Sequence, residues 1–428
     1  MQFSWPRESA RIPRGAVSRR DFLRTTAACG VLVAGGAWLA RSGGLPRLLL
    51  EPVEALAAGD PLADLIRAAP RARYWVSTAG ATAADCAACH RPGELPAGAR
   101  PAHRRTLIRC RLCARNCTLA EGERGMCRAR IHTNGELKSL VYGRPITIHV
   151  DPIEKKPFFH FLPGSAAFSL ATSGCPLRCR FCQNWQISQS RPEDYEQAPV
   201  SAQKIARDAV ARNAPVIAFT YNEPTVFTEY LTDIARAARP LGRRCVLVSC
   251  GFMNEAPLAE MCGVLDAIKI DLKGYSEGFY RDVCGAELQP VLRSIRQVAK
   301  RGVHLEIVNL VVPTLNDSPA MMTELSKWLA GEVGPDVPVH FTRFHPDYQL
   351  PNLPPTPVAT LERAREIAMA QGLRFAYVGN VPGHPGNNTW CPKCGKKVVE
   401  RDGMFVTAIH LKGSRCEFCG RPIPGVWT

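Results

Sequence analysis

The stretch FSLATSGCPLRCRFC, residues 168–182, decides the fold. Its first four residues, Phe168 to Ala171, are typical of a short buried strand, and a loop with three cysteines follows directly. Further short runs rich in apolar and β-branched residues occur at residues 216–221, 245–249, 267–272, 305–312, 339–344 and 374–378. Amphipathic stretches typical of helices separate them, at residues 202–213, 227–241, 288–302, 321–333 and 360–372.

This alternation of strands and helices indicates parallel βαβ units, whose right-handed crossovers curl the sheet. Six or seven such units fit the pattern, fewer than the eight of a closed barrel. We therefore predict an α/β fold, a partial (β/α)6-type barrel over residues 161–385. Its working loops are expected at the carboxyl ends of the strands, where the three cysteines lie.

The spacing Cys-x3-Cys-x2-Cys offers three thiolates and no fourth; these loop cysteines are Cys175, Cys179 and Cys182. A 4Fe–4S cluster has four irons, so three thiolates leave one iron open to a small molecule. A zinc knuckle or a ferredoxin loop are the alternatives. The strand before the motif and the barrel pattern after it favour the open cluster.

With Phe181 before the last cysteine, the motif resembles that of the radical S-adenosylmethionine (SAM) superfamily. The resemblance implies that a 4Fe–4S cluster binds SAM and that one electron cleaves SAM to methionine and a 5'-deoxyadenosyl radical, which abstracts hydrogen. From about Arg109 to Trp427 the chain resembles the AmmeMemoRadiSam-system radical enzymes, relatives of pyruvate formate-lyase activating enzyme. The segments that carry this likeness are LVYGR (140–144), DPIEKKP (151–157), FCQNW (181–185) and RFHPDY (343–348).

The same resemblance implies contacts to SAM from residues that follow later strands. Asn222 and Glu223 look like the segment that meets the SAM amino group, with Glu223 as the main candidate. The other implied contacts are Ser249 near the ribose, Asp271 and Lys273 at the ribose and carboxylate, and His345. Cys250 stands where activating enzymes commonly have Asn, so the contact at this turn departs from the family pattern.

Two further cysteine groups flank the barrel. The N-terminal cysteine set lies in a cysteine-rich module over residues 107–160 and consists of Cys110, Cys113, Cys117 and Cys127. Four thiolates close a metal site; zinc is favoured and an auxiliary iron–sulfur cluster is the alternative. The ribbon cysteines, in residues 386–428, are Cys391, Cys394, Cys416 and Cys419. Two Cys-x2-Cys knuckles predict a zinc ribbon, with rubredoxin-like iron as the alternative.

The remaining cysteines are more isolated. Cys86, Cys89 and His90 match the c-type haem attachment pattern, in an irregular linker over residues 59–106 that is rich in Ala, Pro and Arg. An extra metal knuckle or a disulfide is favoured there over haem. We interpret the four others as buried small apolar residues: Cys245, Cys250, Cys262 and Cys284.

Residues 1–58 read as a targeting segment and linker. SRRDFLR at residues 18–24, followed by an uncharged run from Thr25 to Ala40, resembles a twin-arginine export signal. The run is shorter than the about 20 residues of a membrane-spanning helix, so we expect cleavage, near Ala55 to Ala57, and no remaining span. This predicts a periplasmic protein; a cytoplasmic one is the alternative.

The net charge of +16 does not indicate a nucleic-acid surface, because the basic residues are not interleaved with aromatic ones. We predict a radical SAM enzyme similar to glycyl-radical-enzyme activating enzymes. It requires SAM, an electron donor and, by that resemblance, a protein substrate, which no residue identifies. The alternatives are an exported iron–sulfur electron carrier without SAM chemistry and a zinc-rich interaction protein.

Overall fold

The computed structural model describes residues 60–78 and 106–428. The predicted export signal and the Cys86–His90 motif lie outside the described residues. The helices are α1 (Pro61–Ala68), α2 (Trp185–Ser188), α3 (Ala202–Ala211), α4 (Thr228–Ala238), α5 (Glu255–Val264), α6 (Glu277–Phe279), α7 (Leu288–Lys300), α8 (Pro319–Glu332) and α9 (Val358–Ala370). The central strands are β6 (Thr147–Pro152), β7 (Ala166–Ala171), β8 (Val216–Phe219), β9 (Arg244–Ser249), β10 (Ala267–Asp271), β11 (His304–Val311), β12 (Val339–Arg343) and β13 (Ala376–Gly379).

These eight strands form one sheet in which the order in space follows the order in the chain, from β6 to β13. Neighbours from β7 to β13 run parallel, whereas β6 pairs antiparallel with β7 at the edge. The seven predicted strands are all present, and the predicted helices form the crossovers between them. The α/β prediction with a mostly parallel sheet is therefore confirmed.

Both faces of the sheet are buried, which is why its strands read as continuous apolar runs. Successive side chains point to opposite faces of a strand. On β7, Phe168 and Leu170 belong to the large core beneath the helices, whereas Ala167 packs on the other face with Ile153 and Phe161. The carboxyl ends of the parallel strands meet at one rim, and the cysteine loop begins there after Ala171.

A small module precedes the sheet. It contains a three-stranded antiparallel sheet and a hairpin, made of β1 (Trp75–Ser77), β2 (Ile108–Cys110), β3 (Thr118–Leu119), β4 (Arg130–Thr133) and β5 (Glu136–Ser139). The buried Arg130 guanidinium joins this module to α4, because it donates to both carboxylate oxygens of Glu229 at 2.5 and 2.6 Å. The cysteine module is thus fixed against the central fold.

A second module follows the sheet. Its strands are β14 (Thr389–Trp390), β15 (Lys397–Asp402), β16 (Phe405–Ile409), β17 (Leu411–Lys412) and β18 (Arg415–Cys416). Val398 and Ile423 pack there with Phe159, Phe375 and Tyr377 of the central domain. In the described part of the chain, no helix is both long and apolar enough to cross a bilayer.

Candidate active site and metal centres

The loop cysteines lie between β7 and α2, at the rim of the sheet. Gly174 precedes them with φ +94°, a conformation that favours glycine. A Cβ at this position would lie 2.3 Å from the carbonyl oxygen of Cys127, so no side chain fits there. The glycine of TSGC therefore allows the cysteine loop and the N-terminal module to approach closely.

A turn of π-helix, residues 280–284, holds the other side of the loop. The amides of Arg178 and Arg180 donate to the carbonyls of Cys284 and Val283, each at 2.9 Å. The nearby Cys284 thiol, together with Lys273, lowers the Cys179 pKa. Burial instead raises the pKa of Cys175 and Cys182.

The loop cysteines lie near one another but do not form a compact group of single-ion size. Cys175 interacts electrostatically with both Cys179 and Cys182, so the three thiols face a common space. Among the described residues, only the ribbon cysteines bring three or more ligand atoms within 4.8 Å of one another. The irons of a cubane lie at separate corners, and their thiolates are spread further apart than the ligands of one ion.

Glu223 connects the ends of two strands. One carboxylate oxygen accepts hydrogen bonds from the Thr225 amide (3.1 Å), the Thr225 hydroxyl (2.5 Å) and the Ser249 hydroxyl (2.8 Å). The other accepts from the Cys250 amide at 2.7 Å. The structure thus brings Glu223 and Ser249 together, and it commits the carboxylate to protein donors.

Asn222 has a hydrogen-bond acceptor that no protein group uses. Its side-chain amide donates to the carbonyl oxygen of Gly174 at 2.9 Å. Its side-chain oxygen is buried and has no hydrogen-bond partner. An unpaired buried acceptor is unfavourable, so this oxygen, next to the cysteine loop, fits a ligand that carries a donor.

Asp271 ends β10 and lies between two lysines. It accepts hydrogen bonds from Lys269, which is buried inside the sheet, and from Lys273 at 3.2 Å. Although burial opposes ionisation, the two ammonium groups lower the Asp271 pKa. The Lys273 ammonium lies 5.6 Å from the centre of the Phe181 ring, so this pair adjoins the cysteine loop.

His345 is placed differently from the other predicted contacts, because its side chain is exposed. The loop after β12 reaches the cysteine motif through later residues. The Tyr348 ring stacks on Trp185 at a centroid distance of 5.3 Å, and the Gln349 amide donates to the Arg180 carbonyl at 3.0 Å.

Sequence patterns did not identify a buried ion pair that lies below this rim. Asp151 accepts hydrogen bonds from Lys155 at 2.8 Å, from the buried Lys156 at 2.5 Å and from the Tyr221 hydroxyl. Burial lowers the pKa of Lys156 to about 8, partly offset by Asp151. Lys156 also interacts electrostatically with Lys269, so polar groups extend from β6 to β10. The sequence signal was the pair of lysines four and five residues after Asp151, but it needed β6 to be recognised.

Two of the isolated cysteines lie beside the loop cysteines and Glu223. Cys250 and Cys284 are buried, as the sequence predicts, but they are not inert packing residues. Cys284 contacts Cys179, and the Cys250 amide binds Glu223. Their isolation in the sequence gave no signal of this proximity.

The ribbon cysteines form a site of single-ion size. The sulfurs of Cys391 and Cys419 are 3.5 Å apart, and those of Cys394 and Cys416 are 3.8 Å apart. Four thiolates around one ion at about 2.3 Å have sulfurs about 3.8 Å apart. The positive φ of Gly395 and Gly420 allows the same turn after each knuckle. These cysteines can therefore hold one tetrahedral metal ion.

Comparison with known proteins agrees with this geometry. The Radical SAM superfamily model matches residues 169–325. The benzylsuccinate synthase activating enzyme of Thauera aromatica is 22% identical over 209 residues, 44% of this chain and 63% of that enzyme. The pyruvate formate-lyase-activating enzyme of Clostridium pasteurianum is 23% identical over 158 residues, 36% of this chain and 65% of that enzyme.

The chain is therefore an enzyme of the radical SAM class, and this class implies a 4Fe–4S cluster and SAM as cofactors. A nearer relative spans most of the chain. The uncharacterized protein MJ0808 of Methanocaldococcus jannaschii is 42% identical over 318 residues, 74% of this chain and 95% of that protein. The chain belongs to the same family as this archaeal protein.

Proposed function

We propose that the chain abstracts hydrogen from a substrate with a 5'-deoxyadenosyl radical, as glycyl-radical-enzyme activating enzymes do, and that it is an AmmeMemoRadiSam-system radical enzyme. The loop cysteines would hold the 4Fe–4S cluster, and bound SAM would supply the radical when one electron cleaves its sulfonium bond. The unpaired buried oxygen of Asn222 beside the cysteine loop is the single observation that carries the placement of SAM at this rim.

Asn222 is our candidate for the acceptor of the SAM amino group. The Gly174 carbonyl fixes its side-chain amide, which leaves the oxygen available to an ammonium donor. Glu223 then acts differently from the sequence-based expectation. Its oxygens bind Thr225, Ser249 and the Cys250 amide, so it positions the two strand ends around the ligand.

Charged groups on the rim would orient the rest of the cofactor. We assign Lys273 to the SAM carboxylate and Asp271 to the ribose, because the two groups form an ion pair next to Phe181 of the cysteine loop. Asp271 in turn holds Lys273, since its charge raises the Lys273 pKa despite burial. His345 is exposed, so it would meet SAM only at the outer edge of the site.

The sheet supports the proposal that the fold is a partial (β/α)6-type barrel. Its strands follow one another in chain order without an interruption, and Ile153, Phe158 and Phe161 fill the face opposite the helices. The same proposal includes zinc at the ribbon cysteines, whose sulfur distances suit one ion. Export by the twin-arginine route, to the periplasm, stays a prediction.

Anaerobic reconstitution tests the function. We expect the iron-loaded protein to form 5'-deoxyadenosine from SAM and dithionite, as measured by chromatography. Cys179→Ala should abolish this product, whereas Cys391→Ala should retain part of it. A fully loaded protein that forms none would favour the alternative, an iron–sulfur electron carrier.

A further inference from the structure

The N-terminal cysteine set converges in space although its members are spread over 18 residues of sequence. Cys110 ends β2, and its amide donates to the Cys117 carbonyl at 2.9 Å. The thiol of Cys113 interacts electrostatically with those of Cys110, Cys127 and Cys117. The β2–β3 pairing brings Cys110 and Cys117 together, and Cys113 and Cys127 lie near them.

Gly125 leaves space beside these sulfurs. A Cβ added there would lie 3.6 Å from the Cys127 sulfur and 3.8 Å from the Cys117 sulfur. The Met126 amide points at the same place and donates to the Cys117 sulfur at 3.5 Å. Backbone amides that donate to cysteine sulfurs are among the groups that tune iron–sulfur clusters.

The sulfur spacing separates this set from the ribbon cysteines. Within the described ranges, three or more ligand atoms come within 4.8 Å of one another at the ribbon cysteines and nowhere else. The N-terminal cysteine set does not form such a compact group, in contrast to the ribbon cysteines, which suit one tetrahedral ion. Its four thiols supply the complete ligand set of a 4Fe–4S cluster.

A buried cation accompanies the set. Arg130 is 1% exposed and interacts electrostatically with Cys110 and Cys127. Its two terminal nitrogens bind the Arg73 carbonyl and Glu229, but its Nε is buried without a partner. Positive charge beside the thiolates stabilises an anionic metal–thiolate group.

The N-terminal module also contacts the cysteine loop through its backbone. The Cys127 carbonyl oxygen lies against Gly174, which precedes Cys175. The Arg178 guanidinium donates to the Met126 carbonyl at 2.6 Å and to the Cys175 carbonyl at 3.0 Å. Cysteines of both sets therefore sit on directly contacting backbone segments.

We propose that the N-terminal cysteine set binds an auxiliary iron–sulfur cluster that relays electrons to the cluster at the loop cysteines. One electron leaves a low-potential donor, enters the auxiliary site and passes to the loop site, where cleavage of SAM consumes it. The donor is oxidised by one electron, and the relay itself moves no proton and breaks no bond. This inference rests on the proposed function for the fate of the electron, but not for the identity of the metal.

Metal analysis tests the auxiliary site independently of SAM chemistry. We expect the anaerobically reconstituted protein to contain about eight irons, and the variant Cys175→Ala/Cys179→Ala/Cys182→Ala to keep about four, with a reducible EPR signal that SAM does not change. A triple variant without iron, with a second zinc ion beside the one proposed at the ribbon cysteines, would overturn the inference and leave the proposed function standing. Cys262→Ala, at a half-buried cysteine on α5, is the matched control and should keep all the iron.

A second variant tests the relay. Cys113→Ala/Cys117→Ala should lose the iron of the N-terminal site, keep the SAM-dependent EPR signal of the loop site and reduce that site at least tenfold more slowly. An unchanged rate of reduction would overturn the relay. If the double variant fails to fold, Mössbauer spectra of the unaltered protein decide the metal: two 4Fe–4S components support the auxiliary cluster, and one contradicts it.

Discussion

The carbonyl oxygen of Cys127 lies 2.3 Å from the point that a Cβ of residue 174 would occupy. The N-terminal module and the cysteine loop are thus packed backbone to backbone at the one residue before Cys175. Through this contact the N-terminal module forms part of the active-site rim. A substitution at Gly174 tests whether the contact stabilises the cysteine loop.

Gly174→Ala should destabilise the protein and reduce iron loading, because the new methyl group meets backbone that cannot move aside. We expect the free energy of unfolding to fall by more than the about 1 kcal/mol of a positive φ alone. Denaturant titration measures this loss. Gly122→Ala is the control, since Gly122 also has a positive φ but nothing lies within 4 Å of its Cβ position. Equal effects of the two substitutions would contradict the close contact.

Asn222→Ala should weaken SAM binding, because the variant lacks both the fixed amide and the acceptor oxygen. A lost hydrogen bond to a charged group is worth about 1.5–3 kcal/mol, so the dissociation constant should rise roughly 10- to 100-fold. Calorimetric titration of the iron-loaded protein with SAM measures it. Asn387→Ala removes a similar side-chain bond to a backbone carbonyl, that of Gly403, and should leave SAM binding unchanged. Unaltered affinity in Asn222→Ala would remove Asn222 from the SAM site.

Cys284→Ala should retain the cluster and form 5'-deoxyadenosine within a few-fold of the unaltered protein. The Cys284 thiol lies near Cys179 and lowers its pKa, and our account leaves one iron without a cysteine ligand. Iron content and product formation measure the effect together. If Cys284→Ala loses iron as completely as Cys179→Ala does, Cys284 is a fourth ligand and the open position does not exist.

Lys156→Met should change how stability depends on pH. Burial lowers the Lys156 pKa to about 8, below its ordinary value of 10.5. Between these values the unfolded chain binds a proton that the folded chain has released, so the free energy of unfolding rises with pH. Between about pH 7 and about pH 10, the free energy of unfolding of Lys156→Met should increase by about 1–3 kcal/mol less than that of the unaltered protein. Denaturant titrations at several pH values give the comparison. The control is Lys155→Met, at a more exposed lysine that also binds Asp151; if both variants behave alike, the depressed pKa does not belong to Lys156.

Sequence patterns predicted the strands β7 to β13 because burial on both faces produces continuous apolar runs. They missed β6, an edge strand whose Ile148 and Val150 are exposed, so its pattern does not indicate which face is covered. The knuckle spacing of the ribbon cysteines was enough to predict a metal site of single-ion size. The spacing of the N-terminal cysteine set could not predict its contact with the cysteine loop, because that contact depends on tertiary packing.

The sequence predicted that the site residues follow the ends of neighbouring strands, but not which of their atoms are available to a ligand. Asn222 and Glu223 are adjacent in sequence, and only the structure shows that Glu223 is occupied by protein donors while Asn222 retains a free acceptor. Cys250 and Cys284 read as apolar residues, because nothing in the sequence shows that the chain folds them beside Glu223 and Cys179. Tertiary contacts decide which polar atoms remain available to a ligand.

The central claim is that one iron of the loop cluster has no protein ligand and binds SAM. EPR spectra of the reduced Cys113→Ala/Cys117→Ala variant, recorded before and after addition of SAM, test it most directly, since only the loop cluster then contributes. We predict that SAM changes the g-values of the signal. A fully loaded cluster whose spectrum is the same with and without SAM would contradict the account.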